Sequence, residues 1–321
     1  MPNLYSVPPF AKAMADGGAS MPRPSVPEAD RLLGTKWPVL AHGYVVLVDY
    51  MGNDAAIVQA ARVSYGAGTK TLRDDRGLIR YLMRHRHTTP FEMVELKFLV
   101  RLPIYVARQM IRHRTASVNE YSARYSVVPD EFDVPLPGSV RLQSRTNRQG
   151  RGEPAPAPVD ERFRSDLERV SKEAYAAYAA ALADGVARET ARMILPLAYY
   201  TEWYWKSDLH NLLHFLSLRL DPHAQEEIRL YAAEMARAAR AVAPIAYEAF
   251  EEFTLGALSL SRREQVAVRS LLGGATPEAA CAAAGLPLTR PDGRPMSSGE
   301  GVEFLQKLDR LTAADRPGAD V

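Results

Sequence analysis

Cysteine is almost missing from these 321 residues: Cys281 stands alone. That excludes an intrachain disulfide, a cysteine-built zinc site and a CxxC redox pair. Its setting, "TPEAACAAAGLP", reads as a place for an inert, buried thiol. No apolar run reaches the length of a membrane span, and the amino-terminal residues lack a basic-then-apolar targeting pattern, so a cytoplasmic location is expected. No G-x-G-x-x-G follows a strand pattern, which leaves a Rossmann dinucleotide site without support. "GAGTKT" (66–71) lacks the Gly-Lys-Ser/Thr ending and the glycine spacing of a phosphate loop. A net charge of +2 weakens any general nucleic-acid reading. The last absence is local: there is no acidic residue from Arg101 to Asn119, yet Arg108, Arg112 and Arg114 lie there and Arg124 follows.

What is present is an ordinary globular composition, 47% apolar and 24% charged, on a chain long enough for a large core. Residues 1–36, rich in Pro, Gly, Ala and Ser, read as a flexible arm. "HGYVVLVDYMGND" predicts a strand over Tyr44 to Asp49, with Asp54 capping the helix that follows. "LRDDRGLIRYLMRHR" has helical spacing, "FEMVELKFLVRL" alternates as a strand, and Pro103 suits the first turn of a helix carrying "IYVARQMIRHR". Residues 129–160 show no period and read as an irregular insertion or mobile loop. From Glu161 onward helices are expected, through "ARETARMILPLAYY", "DLHNLLHFLSLRL" and a helix begun by Pro222 and stopped by Pro244. The expected class is α+β: mixed strand and helix first, then largely helical, with no regular alternation to build a parallel sheet. Residues 257–321 change character and read as an accessory segment or a largely disordered extension.

"HNLLH" gives His210 and His214 the spacing of a helical zinc pair, but Asn211 stands where the metalloprotease pattern has Glu, and no third ligand is near; no metal is expected. The arginine stretch "RQMIRHRTASVNEYSARYS" is of another quality. On a helix, Arg108 and Arg112 share one face and Gln109 and His113 the next. Guanidinium groups bind phosphate bidentately and stay charged, so an uncompensated cluster suits a phosphorylated ligand. The plainer alternative is a solvated basic surface paired with acids elsewhere, such as Asp74, Asp75 or Glu92. Interleaved Gln, His, Asn, Ser and Tyr favour a pocket. Arg219, after a strongly apolar run, is equally readable as a helix C-terminal charge or as a cation aimed into a site.

"RHRTASVNEYS", Arg112 to Ser122, resembles the Arg-His-Arg-(seven residues)-Ser signature of the flavin-dependent thymidylate synthases. "GNDAAIVQAARVSY", "YLMRHRHTTPFE", "PIYVARQMIRHR", "ARMILPLAYYTEWYW" and "LLHFLSLRLDPHAQEEI" resemble further segments of that family, in its order, from about Gly43 to Phe253. The resemblance implies a catalytic domain over 37–256, a non-Rossmann α+β fold that binds FAD, and a homotetramer whose sites are shared between subunits. It implies methylation of dUMP to dTMP, with 5,10-methylenetetrahydrofolate as carbon donor and NADPH as reductant, without a cysteine nucleophile. Carried over, Gln109, Arg112, Glu120, Tyr121, Ser122, Ala123, Arg124 and Arg192 would hold dUMP. Arg219 would sit at the uracil carbonyl edge as the catalytic charge. Ser64, Thr89, Glu92, His113, Arg114, Asp208, His210 and His214 would contact FAD, and His87 would lie near flavin and folate. "DLH" (208–210) departs from the Asn-x-Arg of many members, which leaves the flavin contact there open. The reading from another class is a nucleotide- or RNA-binding protein using 108–126 as a basic, stacking surface, with steeply salt-dependent binding and no flavin.

Overall fold

The computed structural model describes residues 24–63, 75–144 and 150–313. Two compact units emerge: 1–143 with 150–255, and 144–149 with 256–321.

The first unit opens with a short helix α1 (Pro27–Asp30), β1 (Lys36–Val39), β2 (Gly43–Met51), α2 (Asp54–Val63) and α3 (Asp75–Arg84). A 3-10 turn (Phe91–Met93) leads into β3 (Glu95–Pro103), α4 (Ile104–Met110) and β4 (Ser117–Glu120). A small hairpin of β5 (Arg141–Gln143) and β6 (Arg151–Pro154) precedes the long helix α5 (Ala157–Ala183) and the one-turn α6 (Arg188–Ala191). Then come β7 (Tyr200–Asp208), α7 (Leu209–Arg219), α8 (Glu226–Val242) and α9 (Pro244–Phe250).

β1, β2, β3, β7 and β4 form one sheet in that order, and every pair is antiparallel. β3 alternates as an antiparallel strand with one packed face should. Leu96, Phe98, Val100 and Leu102 are fully buried, while Glu95, Lys97 and Arg101 point to the other side. There Lys206 pairs with Glu95 at 2.9 Å, Lys97 stands over the Tyr204 ring, and Arg101 pairs with Glu131. The packed face is covered by α7 and α8, whose Leu212, Phe215, Leu216, Ile228, Tyr231 and Met235 are all without solvent contact.

Several expectations change. The stretch "PLAYYTEWYW" is no helix: after α6 and a 3-10 turn (Arg192–Ile194), Pro196 breaks the chain, and alternating aromatics make β7, an interior strand of the sheet. The arginine helix stops at Met110, so Arg108 and Arg112 share no helical face; residues 117–120 pair with β7 instead. Residues 129–160 contain the hairpin and the start of α5, tied by the Asp160 carboxylate accepting from Gly138 N and Val140 N. Asp54 does not cap its own helix. Asn53 does, accepting from Ala55 N and Ala56 N, while Asp54 accepts from Ile245 N and Ala246 N at the start of α9. Pro222 lies in a turn; α8 begins at Glu226.

The second unit contains α10 (Arg262–Leu272), α11 (Pro277–Ala283) and α12 (Glu300–Ala313). Ser261 and Glu264 form a reciprocal capping box on α10, and Thr276 caps α11. The unit has its own small core of Ala267, Ala280, Cys281, Leu286 and Phe304.

Candidate active site

α4 ends at the sheet edge and hands the chain to a tight turn, with Arg112 N bonded to Gln109 O and His113 N to Met110 O. The turn seats His113 against α7. A file of rings runs from the sheet core to it: Phe98 to Trp205, Trp205 to Phe215, and Phe215 edge-on to His113 with centroids 4.9 Å apart. Arg219, at the last turn of α7, donates from Nε to His113 Nε2 at 2.9 Å. Burial lowers the Arg219 pKa; burial first, then the Arg219 charge and His214, lowers that of His113 to about 4. Gln109 donates through its amide to Gln225, just before α8.

The acids named as alternative partners do not quench the cluster. Asp75 pairs with Arg62 at 2.6 Å, and Asp74 lies outside the described residues. Among the described residues Arg108, Arg112, Arg114 and Arg192 have no acidic partner. Arg124 is the exception, paired with Glu189 of α6 at 2.8 Å with both side chains more than half exposed, a contact of little energy.

β4 divides the expected dUMP residues into two groups. Its register, Ser117 opposite Lys206 and Glu120 opposite Trp203, sets the Arg112–Arg114 turn at one end and the Ser122–Arg124 loop at the other. β4 itself, three strand steps at ~3.4 Å, spans about 10 Å. At the far end Glu120 accepts from Thr201 Oγ1 (2.6 Å), Tyr121 Oη donates to Val127 O (2.9 Å), and Ser122 Oγ accepts from Arg124 N (3.3 Å). The Arg124–Glu189 pair brings that loop beside the turn bearing Arg192. Ala123 is half-buried there against the cluster of Val128, Tyr178 and Tyr199.

Of the residues expected at FAD, His113 and Arg114 share the turn of Arg112, and the others lie elsewhere. Thr89 and His87 line a cavity of about 430 Å³ together with Tyr81, Thr88, Pro90 and Leu78. Tyr81 stacks with His87 at 6.0 Å between centroids and touches His85 at 4.3 Å. Ser64 lies outside the described residues. The Phe91–Met93 turn with Glu92 packs on α7, and Leu209 N bonds to Val94 O, so Glu92 and the start of α7 are neighbours. Asp208 is occupied structurally: its carboxylate accepts from both the backbone N and the side-chain amide of Asn211, capping α7. His210 is half-buried and His214 exposed on the same helix. Among the described residues no group of three or more His, Cys, Asp or Glu is placed to hold a metal ion.

Tyr81, Gln225, Glu189 and Phe215 were not singled out by sequence. Tyr81 and His85 had a signal, their i,i+4 spacing on a helix. Gln225 and Glu189 had none, since their partners lie 116 and 65 residues away.

Residues 46–245 match the family model described as "Thymidylate synthase complementing protein". A flavin-dependent thymidylate synthase of Gluconobacter oxydans is 54% identical over 257 residues, covering 79% of this chain and 85% of the relative. That of Ruegeria pomeroyi is 56% identical over 241 residues, covering 74% and 80%. The chain belongs to the flavin-dependent thymidylate synthase family. Among solved structures, the UMP/dUMP methylase PolB from Streptomyces cacaoi bound with 5-Br dUMP superposes with a TM-score of 0.62 at 36% identity, over 68% of this chain and 99% of PolB. The matched residues include most of β2, all of β3, β4 and β7, and both groups of arginines.

Proposed function

We propose that this chain methylates dUMP to dTMP, with 5,10-methylenetetrahydrofolate as carbon donor and NADPH as reductant through bound FAD. The observation that carries the reading is the set of guanidinium groups without acidic partners among the described residues: Arg112 and Arg114 in the turn of His113, which bonds the partly desolvated Arg219, and Arg192 beside the Ser122–Arg124 loop. These exposed guanidinium groups are free to bind the oxygens of a phosphorylated ligand bidentately.

Ser122, Arg124 and Arg192 hold the nucleotide phosphate, with Glu120, Tyr121 and Ala123 shaping the loop. Gln109, Arg112 and Arg219 hold the base. β4 holds these two groups at its opposite ends, and in this reading one group of a complete site comes from a neighbouring subunit of a homotetramer. Exposed apolar side chains beside the phosphate group, Tyr125 at 81% and Met193 at 79%, give that assembly surface to bury.

The residues fit a flavin. The cavity at His87 and Thr89 is walled by the Tyr81 ring, and pockets of ~300–1,000 Å³ take drug-sized ligands, so this one takes a ring system and leaves the rest of the dinucleotide to Arg114, Glu92 and the α7 face of His210 and His214. When bound, the flavin supplies the hydride that reaches the pyrimidine. Arg219 stabilises the negative charge that develops on the uracil carbonyl edge; fixed charge in a partly dry site is the strongest lever available. Cys281 is 1% exposed in the core of the second unit, with its thiol pKa raised by burial, and is no nucleophile. Ser122 Oγ is engaged with its own loop and has no base beside it.

The test is the visible spectrum of the purified protein with FAD, before and after dUMP, alongside Arg219→Ala. A flavin spectrum that shifts with dUMP is expected, and Arg219→Ala should keep the flavin while turnover falls by at least ~100-fold. A protein that takes up no flavin, or an Arg219→Ala enzyme that turns over normally, would overturn the reading.

A further inference from the structure

The Arg219 side chain makes one hydrogen bond among the described residues, and its partner is an imidazole. The guanidinium Nε carries its hydrogen at every accessible pH. At 2.9 Å from His113 Nε2 it donates, so Nε2 must present a lone pair, and the one ring proton of a neutral imidazole is left on Nδ1. The geometry therefore fixes both charge state and tautomer of His113. The ring has little freedom to turn, with the Phe215 edge 4.9 Å and His214 6.2 Å from its centroid. On Arg219 the bond consumes Nε alone. Its two terminal amino groups have no partner among the described residues and stay available in the guanidinium plane that His113 sets.

We propose that His113 is a positioning residue, which accepts from Arg219 Nε and holds the guanidinium so that both terminal amino groups face the pyrimidine. This rests on the role given to Arg219 above, and it assigns Nε2 of His113 to the catalytic arginine, leaving only Nδ1–H for any other partner. A protonated His113 would set N–H against N–H and charge against charge, releasing Arg219 from its place. The groups that face the ring all oppose that proton. Arg219 and His214 bear on it from α7, no acid bears on it, and Arg112 and Arg114 flank it in the chain. The lowered pKa agrees with that neutral form.

The experiment uses flavin-loaded full-length enzyme in three forms: wild type, His113→Gln and His113→Phe. Gln presents an amide oxygen near the Nε2 position and does not titrate. Phe keeps the edge contact with Phe215 and offers no acceptor. Loss of one charge-assisted hydrogen bond predicts a ~10–100-fold fall in kcat for His113→Phe at saturating FAD, with circular dichroism unchanged. His113→Gln should recover most of that fall and lose the acid limb of the kcat pH profile. A second readout is the dUMP affinity, measured through the flavin spectrum. His113→Phe should weaken it severalfold in the wild-type background and not at all in Arg219→Ala. Equal loss in both backgrounds, or Gln no better than Phe, would overturn the positioning role. Should Arg219→Ala itself prove fully active, the reading of Arg219 fails. Should it be inactive while His113→Phe is fully active, this inference alone fails. A His113→Phe protein that does not fold leaves the Gln variant to decide, by whether its acid limb disappears.

Discussion

At the scale of the residue, the site's charges are held by geometry more than by opposite charges. His113 gives a pH signature with a definite sign. Its folded pKa, lowered from 6.5 to about 4 by burial and by Arg219, means that the unfolded chain binds more protons between those two values. Its contribution to stability is complete above about pH 6.5 and is lost as the pH falls toward 4. One group changes stability by no more than ~1.4 kcal/mol per pH unit, and by less here because the ring is only half-buried. Thermal denaturation of wild type and His113→Gln from pH 7.5 to 5 should show wild type losing more of its Tm on acidification. Parallel slopes would mean that His113 titrates like an exposed histidine. The types of the site residues were legible in sequence, since Arg112, Arg124, Arg192 and Arg219 sit in recognisable segments. Their partners were not. The cap that Asp208 gives α7 was not legible either, because capping depends on where the preceding strand ends.

At the scale of the element, strands with one packed face announced themselves through period-two burial, as β2 and β3 show. β7 did not. Its aromatics follow a run of helix formers, and Pro196 between them carries the boundary that periodicity missed. β4 is only four residues long and polar, so nothing local marks it; β7 selects it by pairing. Gly43 is required by close approach. A Cβ at Gly43 would lie 2.0 Å from Tyr231 Oη, 2.6 Å from Val39 O and 2.8 Å from Arg101 O, and two of these are backbone atoms of adjoining strands. Gly43→Ala should therefore destabilise the first unit by about 1–3 kcal/mol, as overpacking does, read as a lowered denaturant midpoint. A midpoint unchanged within error would show that the β1–β2 turn yields freely.

At the scale of the molecule, the two compact units have separate cores, and the second gives a thiol reporter of its own integrity. Cys281 should resist a thiol reagent in the native protein, since its burial raises the thiol pKa. Phe304, without solvent contact in the same core, should on truncation to Ala cost ~3–5 kcal/mol and expose Cys281 to labelling. Equal labelling rates for native wild type and Phe304→Ala would contradict the packing described. No helix of the described residues is long and apolar enough to cross a membrane. The central claim concerns chemistry, and product formation tests it most directly. Purified protein with FAD, NADPH, 5,10-methylenetetrahydrofolate and dUMP should form dTMP, detected chromatographically, and should form none when dUMP or the folate is omitted. Bound flavin that NADPH reduces, with no dTMP formed from the complete mixture, would contradict the account.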